Sequence, residues 1–233
     1  MAIELIAELA TAHGGHVDLA CDMVQMAADH GAHTVKIQSY TIAKLNPSDP
    51  QAEWLRQAHL DDAAHERIIA ACERARVQFL STPFDREALL LLIRLKQWRI
   101  KVPSTREPWN MSSEAFIVQL KSWAWGEKPS AHYRDIEAHL TTIPLYPAPL
   151  EAVKAAPLLD GYSDHTVGTI AAKDAISRGA RIVEVHVCLP GRSRQMAWDK
   201  TPEQLREIRD WADAVETMRT GIATQFRERW NVA

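Results

Sequence analysis

The stretch GYSDHTVG, residues 161–168, sets Ser163, Asp164, His165 and Thr166 between two glycines. Hydroxyl, carboxylate and imidazole in succession can hold a metal or move a proton, yet the flanking residues read as core. Polar residues recur at the ends of other apolar runs. Glu8 closes the first, with His13 in the loop beyond it. Lys36 and Gln38 lie two apart, hence on one face of a strand. Ser81 and Thr82, Lys101 with Ser104, His139 with Thr141, and Glu184 with His186 follow in the same way. A lysine inside an apolar strand carries a large desolvation cost unless an anion meets it. Lys36 and Lys101, with the hydroxyls of Thr82 and Ser104, suit a phosphate or a carboxylate. Carboxylates and imidazoles at the same rim suit a divalent metal and proton transfer.

Such residues need a scaffold that gathers strand ends. Strand-like runs occupy 3–10, 33–40, 77–84, 99–104, 136–146, 160–165 and 181–189. Helical patterns fill 17–32, 61–76, 85–98, 112–124, 149–159, 166–180 and 201–218, the last with Thr201 as N-cap and Pro202 at its first position. Alternation with short links predicts an α/β fold with a parallel sheet. Seven strands and room for an eighth favour a (β/α)8 TIM-type barrel, whose active site sits at the carboxyl ends of the strands. HGGH at 13–16 is not a dinucleotide fingerprint, and no P-loop occurs. No low-complexity linker divides residues 1–233, so one domain is expected.

A formal net charge of −3 with no block of like charges argues against nucleic-acid or membrane-surface partners. Cys21, Cys72 and Cys188 are distant and odd in number, which suits free thiols rather than a disulfide framework. MAIELIAELATAHGG lacks a basic leader region and carries Glu4 and Glu8 within its apolar run, so a cytoplasmic protein is expected. Trp54, Trp98, Trp109, Trp123 and Trp125, read as lying in or near outer helices, suit packing or a homodimer face.

Seven short motifs, in order over residues 3–205, resemble those of the sialic acid synthase (NeuB-like) family. They are IAELATAHGG, GAHTVKIQSY, FLSTPFD, IKVPS, YPAP at 146–149, GYSDHTVG and GARIVEVH. The resemblance implies a barrel that condenses phosphoenolpyruvate with a sugar-like aldehyde, with a divalent metal (Mn2+ or Mg2+) as cofactor. By the same resemblance Lys36, Thr82, Lys101 and Ser104 hold phosphoenolpyruvate, Gln38, Ser163 and Asp164 line the substrate site, Glu8 meets the sugar, and His165 binds the metal.

The chain departs from the family pattern in places. The resemblance sets the second metal histidine five residues before the tyrosine of YPAP, where Thr141 stands. That leaves His139, or Glu184 with His186, to complete the site. Ala12 replaces an asparagine, Thr105, Arg106 and Glu107 replace a Gly-Glu pair, and Val185 replaces a lysine. Only SAHYRDIEA follows Pro129 before the next strand, so a shortened β/α unit after Ser130 is expected. The family's C-terminal antifreeze-like domain is not expected either. Two functions compete: a condensing enzyme with an unusual acceptor, and a degenerate barrel that binds a ligand or a protein partner without turnover.

Overall fold

The computed structural model describes residues 2–104, 118–124 and 136–230, side chains being described for 2–104, 120–122 and 136–220. Eight parallel strands close into a barrel in sequence order. They are β1 (Glu4–Ala10), β2 (Thr34–Ser39), β3 (Gln78–Pro83), β4 (Arg99–Val102), β5 (Val118–Ala124), β6 (Ile136–Thr142), β7 (Gly161–Asp164) and β8 (Ile182–His186). Outside run α1 (Val17–Asp29), α2 (Ala52–Gln57), α3 (Asp62–Ala75), α4 (Arg86–Arg94), α5 (Leu150–Ala155), α6 (Ile170–Arg178) and α7 (Pro202–Trp230). The expected barrel is therefore the observed one.

Local chemistry explains the helix ends. Asp61 and Asp85 cap α3 and α4 by accepting from Ala64 N and Ala88 N, both at 2.8 Å. Gly179 ends α6 in the left-handed conformation at φ 116°. Gly161 opens β7 so close to β8 that an added Cβ would lie 2.4 Å from Ile182 O.

One element differs from expectation. Residues 112–124 read as a capped helix, yet Val118–Ala124 is β5, paired with β4 and β6. The segment VQLKSWA satisfies either period over so short a span, and the barrel's need for an eighth strand decides between them. Trp123 therefore lies on a strand and not a helix. The strand set is complete, and the shortening expected after Ser130 lies outside the described residues, as do Trp109 and Trp125.

The helices pack on the sheet through one large apolar shell. Inside the barrel sits a second, smaller cluster of Ile6, Leu80, Leu120, Ala138, Leu140 and Ile182. It plugs the interior at mid-height, as layered side chains do in such barrels. The three cysteines are free, with Cys72 and Cys188 buried. Among the described residues no helix is long and apolar enough to cross a membrane.

Candidate active site

Alternation builds the site directly on the plug. Two residues beyond Ile6, Leu80, Leu120, Leu140 and Ile182, the inward positions are Glu8, Thr82, Ser122, Thr142 and Glu184. Lys36 lies level with Leu80, and Lys101 level with Leu120. The result is a polar floor in which Glu8, Lys36, Lys101, Ser122, Ser163 and Glu184 are each at most 4% exposed.

Lys36 and Lys101, expected to face one pocket, converge on one carboxylate, Glu184. Lys101 Nζ donates to Glu184 Oε1 at 2.6 Å and to Ser163 Oγ at 3.1 Å. Lys36 Nζ donates to Thr82 Oγ1 at 3.1 Å, lies 3.6 Å from Glu184 Oε1 and touches the Glu8 carboxylate. The chain thus supplies its own anions to offset the desolvation of both lysines. Burial lowers the Lys36 pKa to about 7, with Glu184 opposing that fall and Lys101 adding to it. Burial would raise Glu184, but the two ammonium groups outweigh it and hold this carboxylate below its usual range. Glu8 also accepts from Ala10 N at 2.6 Å, where β1 bulges and Ala10 takes φ 46°.

His165 and His186 stand at the rim, their ring centroids 5.3 Å apart. Tyr146 stacks on His165 at 4.0 Å and meets His186 edge-on at 6.0 Å. Burial lowers His165 to about 4 and His186 well below the usual imidazole value, so both rings are neutral near pH 7. His165 Nδ1 lies 2.9 Å from Ile143 O, which can only accept. The proton therefore sits on Nδ1, and Nε2 keeps its lone pair.

Three expected positions do not join this centre. His139 and Thr141 have the outward parity of β6. The His139 backbone N–H donates to Asp160 Oδ2, and Thr141 Oγ1 donates to Pro157 O at 2.6 Å outside the barrel. Thr142 is the β6 residue that faces His165. Asp164 also points outward, accepting from Thr166 N at 2.9 Å and lying 3.2 Å from the fully buried Lys200 Nζ. Ser104 is half-buried just past β4, and Gln38 lines the mouth. His13 fastens the β1–α1 loop, one nitrogen on Ala10 O and the other accepting from Gly15 N.

Ser122 is the residue that sequence reasoning missed. Its Oγ is buried without a partner among the described residues, as is Glu184 Oε2. The signal was the Leu120–Ser122 step, hidden by the helical reading of that segment.

A cavity of about 210 Å3 opens above the histidines, lined among others by Gln38, Tyr146, His186, Arg194, Trp198 and Asp199. A larger one of about 640 Å3 lies at the opposite end, but Arg99 there is paired with Glu4 and Glu137. The smaller cavity is the one that meets the chemistry.

Comparison with known proteins bears on this geometry. The NeuB family model matches residues 23–111 and 137–222. The N,N'-diacetyllegionaminic acid synthase of Campylobacter jejuni is 31% identical over 227 residues, covering 79% of this chain and 67% of that protein. Its counterpart in Legionella pneumophila is 26% identical over 88% of this chain and 69% of that one. The crystal structure of N-acetylneuraminic acid synthetase from Leptospira borgpetersenii superposes with a TM-score of 0.78 at 19% identity, over 100% of this chain and 94% of that chain. That structural likeness establishes the shared barrel.

Proposed function

The chain belongs to the NeuB family, and from that premise we propose that it condenses phosphoenolpyruvate with a sugar-like aldehyde. In this reaction the enol carbon attacks the aldehyde carbon and a carbon–carbon bond forms. The aldehyde oxygen takes a proton, water adds to the cationic carbon left behind, and phosphate leaves. The observation that carries the reading is the convergence of Lys36 and Lys101 on one carboxylate above the plug, beside two neutral imidazoles.

Each residue then has a task. Lys36 and Lys101 exchange part of their contact with Glu8 and Glu184 for the phosphate and carboxylate of the first substrate. Thr82, Ser104, Ser122 and Ser163 add neutral donors to those oxygens. Gln38, at the mouth, meets the acceptor. Glu8 and Glu184 pair with the lysines until substrate arrives, and Glu184 Oε2, which has no partner among the described residues, is left to meet it.

The donor set at the rim fits a divalent metal. His165 Nε2 keeps its lone pair, His186 is its neutral neighbour, and nitrogen ligands of this kind suit manganese, zinc or iron. Among the described residues no group of three or more His, Cys, Asp or Glu converges. The protein would thus give two ligands and leave the other positions to substrate and water. When bound, such a metal polarises the aldehyde carbonyl. The competing view, a barrel without turnover, leaned on Thr141 as a lost ligand and on the shortened β/α unit. Thr141 faces away from the site, so its identity says nothing against catalysis.

Calorimetry tests the reading. Phosphoenolpyruvate with manganese should bind the protein, and Lys36→Met or Lys101→Met should weaken it by about 1.5–3 kcal/mol, the range for hydrogen bonds to charged groups. Absence of binding to the unaltered protein, with and without metal, would overturn it.

A further inference from the structure

At the mouth, one guanidinium is held in place with its hydrogen-bonding edge unused among the described residues. Arg194 lies over the face of Trp54, its Cζ 4.4 Å from the ring centroid. Trp54 is fixed in turn by its Nε1 donating to Thr11 Oγ1 at 2.9 Å. The Arg194 backbone N–H donates to Ala12 O at 2.9 Å, which ties this part of the β8–α7 loop to the β1–α1 loop. Gly15 makes that loop possible: at φ +82°, any Cβ would lie 2.1 Å from Gln57 O at the end of α2.

Eight other arginines, among them Arg56, Arg99 and Arg209, pair with carboxylates. Arg194 pairs with none among the described residues. Asp199, the carboxylate that lines the same cavity, accepts from Met196 N at 2.8 Å and feels the charge of Arg194 without forming an ion pair with it. Stacking on tryptophan occupies only the flat face of a guanidinium. The five N–H donors stay in its plane, a fork that matches the two oxygens of a phosphate or carboxylate. Arg194 and Gln38 line the same cavity as His186. An acceptor with its aldehyde at the histidines would therefore extend toward this fork.

We infer that the acceptor is an anionic aldehyde, with Arg194 on Trp54 binding a phosphate ester or carboxylate remote from the reacting carbonyl. This rests on the condensing reaction proposed above and adds the acceptor's class to it. The lysine floor binds the first substrate, so the outer oxyanion needs its own cation, and Arg194 supplies it.

The test uses matched aldoses of three to six carbons, each offered free, as the terminal phosphate ester and as the uronic acid. Loss of the phosphoenolpyruvate enol absorbance reports turnover with manganese in excess. At least one anionic form should show a kcat/KM about tenfold or more above its neutral counterpart. Arg194→Gln should bring that ratio toward one, and Arg194→Lys should keep part of it. Which anion gains distinguishes phosphate from carboxylate. Neutral and anionic aldoses used equally well, or a preference untouched by R194Q, would overturn the inference while leaving the condensing reaction standing. If nothing turns over, sorbitol 6-phosphate and gluconate against sorbitol, titrated in saturating phosphoenolpyruvate, decide the outer site alone. Binding of either anion that R194Q removes supports it; no difference between anions and sorbitol rejects it.

Discussion

The two ends of the barrel hold charge clusters of similar make and opposite character. At the amino-terminal end Arg99 crosses the barrel from β4 to β1, giving Glu4 two bonds of 2.7 Å. It also donates to Glu137 at 2.8 Å and to Gln78 at 3.2 Å, while Thr34 Oγ1 donates to Glu4 at 2.6 Å. Each nitrogen of the Arg99 guanidinium there meets an acceptor. At the carboxyl end two lysines and two carboxylates are far more deeply buried, yet among the described residues Glu184 Oε2 and Ser122 Oγ lack partners and two imidazoles are held neutral. A cluster that completes itself holds the fold together. One left incomplete at such burial is shaped for something that arrives later.

The largest effect that could separate the two ends is on turnover. His165→Ala, His186→Ala or a chelator should each cut kcat by more than about a hundredfold, beyond the loss that follows removal of an outer-shell partner. His139→Ala, on the outward face of β6, should leave kcat within about twofold. Steady-state rates with manganese check this. Full turnover in chelator would reduce the histidine pair to core packing.

At the other end the effect should be on stability. Arg99→Met strands Glu4 and Glu137 at the barrel floor and should cost about 2 kcal/mol of unfolding free energy, within the range for hydrogen bonds to charged groups. Urea denaturation measures it, and the KM for phosphoenolpyruvate should not move. A changed KM would mean that the two ends are coupled through the plug.

How much of this was legible beforehand follows from the same contrast. The barrel and the depth of Lys36 and Lys101 could be read, because a cation in an apolar strand is a strong, local signal. The partner of His165 could not be read by counting back from Tyr146. Strand parity at β6 is decided by register, and a one-residue offset turns His139 and Thr141 outward. Asp164 misled for a like reason: adjacent to His165 in sequence, it points to the opposite side, toward Lys200. Ser122 was hidden because seven residues with three polar positions fit a helix as well as a strand.

Acid should act on the buried histidines first and on the paired carboxylates second. Burial lowers His13 to about 4, and His65 is lowered for the same reason. The unfolded chain takes up these protons from about pH 6.5 downward while the folded chain does not, so stability is full above that pH and falls toward pH 4. Burial would raise Glu4, but Arg99 outweighs it and the net shift is downward. That contribution is present above about pH 4.5 and is lost as pH falls through the lowered value. Urea midpoints between pH 8 and 3.5 should therefore fall in two windows, and Arg99→Met should lessen only the lower. A single window that Arg99→Met shifts as a whole would contradict the division.

The smallest expected effect sharpens the comparison most, because its two readouts should move in opposite directions. Ser122 is 2% exposed and its hydroxyl has no partner among the described residues. A buried hydroxyl without a hydrogen bond is a net cost to the fold. Ser122→Ala removes the cost with little change in volume, so unfolding free energy should stay level or rise by up to about 1 kcal/mol. If that hydroxyl instead awaits an oxygen of phosphoenolpyruvate, the same variant should weaken binding by about 0.5–1.5 kcal/mol, a loss of roughly two- to twelvefold. Urea denaturation and calorimetry on one preparation give both numbers. A destabilised Ser122→Ala that binds phosphoenolpyruvate normally would make Ser122 a structural residue like Thr34 on the opposite floor. Equal stability with weaker binding would mark the incomplete end of the barrel as the substrate's half of an unfinished network.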